Sequence, residues 1–133
     1  MTDQNKKTPI IRLWNRLVVS LQGDITDEFA AQLADDVLHE IAATGASGLA
    51  LDVTGVWIMD SHLCHVLSNL AESARLMGTP TVICGITPEI AITLETMGAR
   101  FRRTQTALSL EEALDTLGVH VSASEQPDLL EPE

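Results

Sequence analysis

The chain has no tyrosine, two phenylalanines and two tryptophans among its 133 residues. So few rings cannot furnish a row of stacking platforms for unpaired bases, the usual way of gripping single-stranded nucleic acid. Its core must come from Leu, Ile, Val, Ala and Met. Basic residues are also scarce: 8 Lys and Arg stand against 19 Asp and Glu, a net charge of −11. An acidic chain repels phosphate backbones and anionic lipid, so neither nucleic acid nor a membrane surface is expected as a partner. Only two cysteines occur, Cys64 and Cys84, each inside an apolar run and not as a C-x-x-C pair. Buried free thiols in a reducing compartment are the plain reading. No apolar run approaches the ~20 residues that cross a bilayer, and the polar Met1–Thr8 lacks the apolar segment of a signal peptide. No phosphate-cradling glycine loop or dinucleotide fingerprint is present. A cytoplasmic protein without a cofactor is therefore expected.

What is present is a regular alternation. Ile10–Trp14 and Leu17–Gln22 read as two strands around a tight turn at Asn15-Arg16. Thr26 or Asp24 can cap a helix whose stripe is Phe29, Leu33, Val37, Leu38 and Ile41; Asp27 and Glu28 suit its positive end, and Gly45 its end. Gly48–Val53 reads as a buried central strand. After Thr54–Met59, a helix from Asp60-Ser61 to about Met77 carries Leu63, Val66, Leu67, Leu70, Ala74 and Met77 on one face. Thr81–Ile86 is another short buried strand. Thr87-Pro88 opens a third helix, running to Met97-Gly98, with a capping hydroxyl followed by proline at the first helical position. A last strand is expected between Arg102 and Ala107, at the sheet edge. Ser109 then caps Leu110–Leu117, with Glu112 spaced for a capping box. The order ββαβαβαβα predicts an α/β domain: a mixed, mostly parallel sheet of four to five strands with about four helices. Residues 1–8 are expected to be flexible, residues 9–118 to form the domain, and the acidic residues 119–133 to be a disordered tail.

From Asp52 the chain reads D-x-T-x-V-x-x-M-D-S, ending at Ser61. This resembles the strand–loop–helix signature of the STAS, or anti-sigma-factor antagonist, family, whose element order is the same. The resemblance implies a STAS fold and a phosphorylation site on Ser61. Pro9–Asn15 with Leu17–Ser20, Glu40-Ile41, Thr44–Ala46, Arg75–Gly78 and Gly85–Leu94 are similar to the stand-alone RsbS-type members of bacterial stressosomes. That likeness implies a non-enzymatic antagonist forming homo- and hetero-oligomers with RsbR-like paralogues. It would sequester an RsbT-like serine/threonine kinase until Ser61 is phosphorylated, and an RsbX-like phosphatase would reset it. The chain's length leaves no room for the sensory domain of RsbR-type members or the spans of SulP-type transporters. Trp57, Asp60, Ser61, His62 and Asp24 are the expected partner-binding residues; Trp57 departs from the family's pattern by its bulk, and His62 by replacing what is often an apolar or small residue. An RsbV-like protein that binds an anti-sigma kinase directly is the alternative.

The physics of such a switch needs no family. A hydroxyl between a strand's end and an apolar stripe that starts at Leu63 lies near the surface. A phosphate there adds about −1.5 to −2 charges. The helix N-terminus tolerates that charge, whereas a docked partner would meet repulsion and desolvation. The plainer reading is that Asp60 or Ser61 is an N-cap, a role worth ~1 kcal/mol. Cap and switch are compatible. His62, Cys64 and His65 invite a metal reading, but Cys64 points away from His62 and zinc wants three or four ligands. Ser61 with either histidine lacks a nucleophile elbow or an orienting carboxylate. Arg100, Arg102 and Arg103 form a small basic cluster, either a solvated edge or a contact to an acidic partner.

Overall fold

The computed structural model describes residues 9–96 and 104–119. Strand β1 (Ile10–Leu13) pairs antiparallel with β2 (Arg16–Gly23). The turn between them is Trp14-Asn15, one residue earlier than the expected Asn15-Arg16, and Leu13 faces Arg16 across it. Both turn residues have positive φ, 47° and 65°, as a two-residue type I′ hairpin requires. The shift has a physical cause. Leu17, Val19 and Leu21 must all face the larger core, and a one-residue slip would turn them outward.

From β2 the chain alternates: α1 (Asp27–Thr44), β3 (Gly48–Val56), α2 (Ser61–Leu76), β4 (Thr81–Cys84), α3 (Pro88–Thr96), β5 (Gln105–Ala107) and α4 (Leu110–Thr116). The sheet order is β1-β2-β3-β4-β5, and every pair beyond the first is parallel. The expected element order and the mixed, mostly parallel five-stranded sheet with four helices are thus the observed ones. Strand β3 runs three residues past the expected Val53. Its pairing with β2 shifts register between Ser20 and Gln22, so that Gln22 faces Gly55 and Gly23 faces Val56. The extension is held locally: the Asp52 carboxylate accepts hydrogen bonds from the Thr54 amide (3.0 Å) and hydroxyl (2.6 Å). The expected end of α3 at Met97-Gly98 and the first residues of the expected last strand, Arg102 and Arg103, lie outside the described residues, as does Arg100.

Two cores sandwich the sheet. Helices α1, α2 and α3 cover one face, packing Leu33, Val37, Ile41, Leu67, Leu70 and Leu94 against Leu17, Val19, Leu49, Leu51 and Ile83. Helix α4 alone covers the other, setting Ala113, Leu114 and Leu117 on Val18, Ala50, Val82 and Cys84. Val119 joins this smaller core, so packed residues extend one past Gly118. Met77, expected in the α2 stripe, is exposed, because α2 ends at Leu76 and Gly78 follows with φ 85°. The α4 capping box is shifted by one residue: Ser109 Oγ accepts from the Glu112 amide, but the Glu112 carboxylate accepts from Leu108, not from Ser109.

Cys64 and Cys84 are both free and buried. Burial, and secondarily the neighbouring Asp52 carboxylate, push the Cys84 thiol up to about 12. Because the folded value lies above the ordinary 9.0, the thiol favours folding below that pH, and its contribution is lost as pH rises toward about 12. Cys84 should therefore resist alkylation at pH 8 until denaturant is added; labelling of the native chain at the rate of a free thiol would contradict its burial. Gly85 (φ 82°) closes the same region. A Cβ there would overlap Thr54 Oγ1 and come within 2.8 Å of the Thr54 amide nitrogen and 2.9 Å of Asp52 Oδ1. Gly85→Ala should destabilise the fold by about 2–3 kcal/mol in urea titration, and a loss below about 0.5 kcal/mol would show that the loop gives way freely.

Candidate functional site

Because β2, β3, β4 and β5 run in one direction, the loops that leave them emerge at one edge of the sheet. Four helices begin there, each with its own cap. Thr26 Oγ1 accepts from the Phe29 amide at 3.1 Å, Asp60 Oδ1 from Leu63 at 2.8 Å, Thr87 Oγ1 from Ile90 at 3.2 Å and Ser109 Oγ from Glu112 at 3.2 Å. Thr26, not Asp24, caps α1, and Asp60, not Ser61, caps α2.

The loop before α2 is fixed by its buried members. Val56 and Met59 turn into the core, while Trp57 is 75% and Ile58 64% exposed. The Trp57 amide donates to the Gly23 carbonyl at 3.0 Å, tying this loop to the end of β2 and setting Trp57 beside the segment that carries Asp24. Asp60 is exposed and extended (φ −87°, ψ 177°), and its carboxylate is occupied in capping. Ser61 is the first residue of α2 and is exposed. Among the described residues its hydroxyl has no hydrogen-bond partner. His62 is exposed and its Nε2 lies 3.6 Å from Asp27 Oδ1 in the first turn of α1, a contact that links the two helix starts.

The five residues singled out from sequence thus belong to one edge: Asp24 on the β2–α1 loop, Trp57 and Asp60 on the β3–α2 loop, and Ser61 and His62 in the first turn of α2. The arrangement presents a free hydroxyl at the positive end of a helix, directly after the capping Asp60 and one residue before His62, on the edge that also carries Asp24, Asp27, Glu28 and the exposed Trp57. His62 and His65 are exposed whereas Cys64 is buried, so the three do not converge. Among the described residues no group of three or more His, Cys, Asp and Glu side chains is placed to hold a metal ion.

Sequence reasoning missed Asp27 as the partner of His62, and it missed two apolar residues. Ile58 sits in the loop beside Trp57, where no periodicity marks it. Leu108 follows β5, which ends at the same edge since the Gly85 amide donates to the Ala107 carbonyl. It is 83% exposed just before the Ser109 cap. An apolar residue preceding a helix cap usually signals a packed staple; here it faces solvent.

A sheet covered by helices on both faces, with an exposed seryl hydroxyl and carboxylates gathered where the parallel strands end, defines a small α/β module. The STAS domain model matches residues 5–113, and the chain belongs to the STAS-domain family. Members of that family are generally non-enzymatic regulators. The chain is 34% identical over 104 residues to the RsbT co-antagonist protein RsbRD of Bacillus subtilis, covering 78% of this chain but only 37% of that protein's length. A Ser-to-Glu variant of RsbS from Moorella thermoacetica superposes with a TM-score of 0.75 at 34% identity, over 84% of this chain and 95% of that one. A chain of the stressosome, described as a signal integration and transduction hub, superposes with a TM-score of 0.70 at 33% identity, over 82% and 95%. The protein is thus a relative of the RsbS and RsbR stressosome proteins. Among the described residues no helix is long and apolar enough to cross a membrane.

Removing the α2 cap by Asp60→Ala should cost about 1 kcal/mol of stability in urea titration; an unchanged midpoint would mean that the carboxylate does not cap in solution. His62→Ala, which breaks an exposed contact, should change stability by less than about 1 kcal/mol. A larger loss would give His62 a structural role.

Proposed function

We propose that this chain is a cytoplasmic, RsbS-like antagonist. It co-assembles with RsbR-like paralogues into a stressosome and holds an RsbT-like serine/threonine kinase until phosphorylation of Ser61 releases it. An RsbX-like phosphatase then restores the starting state. The observation that carries this reading is Ser61 itself: an exposed hydroxyl without an internal partner, first in a helix whose packing begins only at Leu63. Kinship with RsbS and with the RsbT co-antagonist RsbRD supports the choice of assembly and kinase.

The switch works through charge. Phosphorylation adds about −1.5 to −2 charges. The helix N-terminus accommodates them, so the fold persists. The same charge lies beside the Asp60 carboxylate, on an edge that also carries the acidic Asp24, Asp27 and Glu28. A partner surface that had docked on a neutral hydroxyl and the apolar Trp57 and Ile58 then meets a doubly charged, strongly hydrated group. About 2.7 kcal/mol of differential binding gives a hundredfold loss of affinity, enough to release a partner.

Incubation with the RsbT-like kinase and ATP, followed by intact-mass measurement and phosphosite mapping, should add one phosphate, on Ser61. Modification elsewhere with Ser61 untouched would overturn the assignment. Ser61→Asp should keep the fold while weakening kinase binding by about tenfold or more, and Ser61→Ala should bind the kinase and block its release. Full kinase binding by Ser61→Asp would count against the switch. A small one-to-one complex with an anti-sigma kinase, in place of large particles with an RsbR-like paralogue, would instead mark a direct RsbV-like antagonist.

A further inference from the structure

A phosphate on Ser61 would sit on an edge that offers it neither lysine nor arginine. Among the described residues the only Lys and Arg side chains are Arg12, Arg16 and Arg75. Arg12 and Arg16 stand at the other end of the sheet, on the hairpin that opens β2. Arg75 lies in the last turn of α2, about 20 Å along the axis from Ser61, and its guanidinium is 3.7 Å from the Glu72 carboxylate. Near the start of α2 the basic side chains are therefore histidines. His62 is turned to α1, with Nε2 3.6 Å from Asp27 Oδ1. His65 is exposed and forms no ion pair with any described residue.

Helix geometry selects His65. Residues i and i+4 lie one above the other on the same helix face, and Ser61 and His65 have that spacing. The face they share is the outer one. The inner face of α2 is made by the buried Leu63, Cys64, Leu67, Leu70, Ala71 and Ala74, whereas Ser61 and His65 are both exposed. Helical side chains lean back toward the N-terminus, so a residue at position 65 covers the surface over the turn that Ser61 begins. An anion placed four residues before a cation is also the favoured order. His62 is instead rotated by roughly 100° from Ser61 around the axis, toward α1.

We propose that His65 is the internal partner of phosphorylated Ser61: its protonated imidazole pairs with the phosphate across the first turn of α2, so that the charge displayed by the modified edge depends on pH. The inference rests on the reading of Ser61 as the phosphosite. Imidazoles and the second ionisation of a phosphoserine fall in one range, about 6.5 and about 6, so the two groups titrate together. Above neutral pH the edge displays a dianion beside an uncharged ring. Near pH 6 the ring is cationic and the phosphate begins to take up its second proton, which brings the pair close to neutrality. The other charged groups around this end of α2 are Asp60, Asp27 and Glu28 of α1, Glu89 of α3, and Glu72 two turns beyond His65; β4, beneath the helix, brings none. Asp60 is held in capping, Asp27 lies at His62 and Glu72 at Arg75. All of these carboxylates repel the phosphate, so His65 is the group that can receive it. Release of a docked partner is then strongest at neutral and alkaline pH and weakens in acid.

The test is a 31P NMR titration of the full chain with phosphoserine installed at position 61 during translation, so that no kinase is needed. The phosphate midpoint should lie about 0.3 pH unit or more higher in His65→Gln than in the native sequence, because a nearby cation favours the dianion. His65→Arg, cationic at every pH of the titration, should return the midpoint to the native value or below it. His62→Gln should move it by less than half as much as His65→Gln. Salt at about 0.5 M should shrink the His65→Gln difference. Equal midpoints in the native chain and His65→Gln, no recovery in His65→Arg, or an equal effect of His62→Gln would overturn the proposal. Treatment of the unmodified chain with the RsbT-like kinase and ATP reports separately on the switch: no phosphate on Ser61, with the midpoint difference intact, would sink the switch and leave the pair standing.

Discussion

The direction of the strands governs everything else in this molecule. Four parallel strands finish on one side, and each passes into a helix that starts there. Every loop that carries a candidate partner-binding residue is consequently delivered to one edge, along with the amides of four helix starts that have no partner within their helices. A capping side chain takes up one such amide at each start: a threonine for α1, an aspartate for α2, a threonine for α3 and a serine for α4. Because Asp60 takes the capping role, the neighbouring Ser61 hydroxyl is left without one.

The same geometry separates stability from regulation. Core packing in α2 starts at Leu63 and runs through Leu67, Leu70 and Ala74, all on the inner face. Ser61 and His62 precede that run and contribute little to it. Charge added at this point is placed on the fold's periphery, on the edge proposed here for docking. Behind the edge, β3 and β4 are clamped by Asp52, Thr54 and Gly85, a region that tolerates no extra atom at Gly85. A firm support beneath a solvent-facing loop lets a local change in charge be read by a partner without being absorbed by movement.

Much of this was legible in the chain alone. The element order, the five-stranded mixed sheet and the caps at Thr87 and Ser109 follow from periodicity and from residue types that have one good use each. The position of Ser61 was marked by a motif. What escaped has a common physical origin. The hairpin turn was expected at Asn15-Arg16 because that pair is the polar break between two apolar runs, and the break gave way to the register demanded by Leu17, Val19 and Leu21. The end of β3 was missed because its last residues are held by one carboxylate and a register shift, neither of which leaves a pattern. Asp27 and Leu108 reach the site through tertiary proximity, one across from α1 and the other from β5, so no spacing along the chain announces them.

The central claim is that negative charge on Ser61 changes a surface and spares the core. Amide NMR spectra of the unmodified and Ser61-phosphorylated chain test it most directly. The account predicts that shifts move from about Trp57 through the first turn of α2 and in the facing segment from Asp24 to Glu28, while resonances of Leu17, Val19, Leu51 and Ile83 stay in place. Loss of dispersion across the spectrum, or large shifts among those sheet residues, would contradict it.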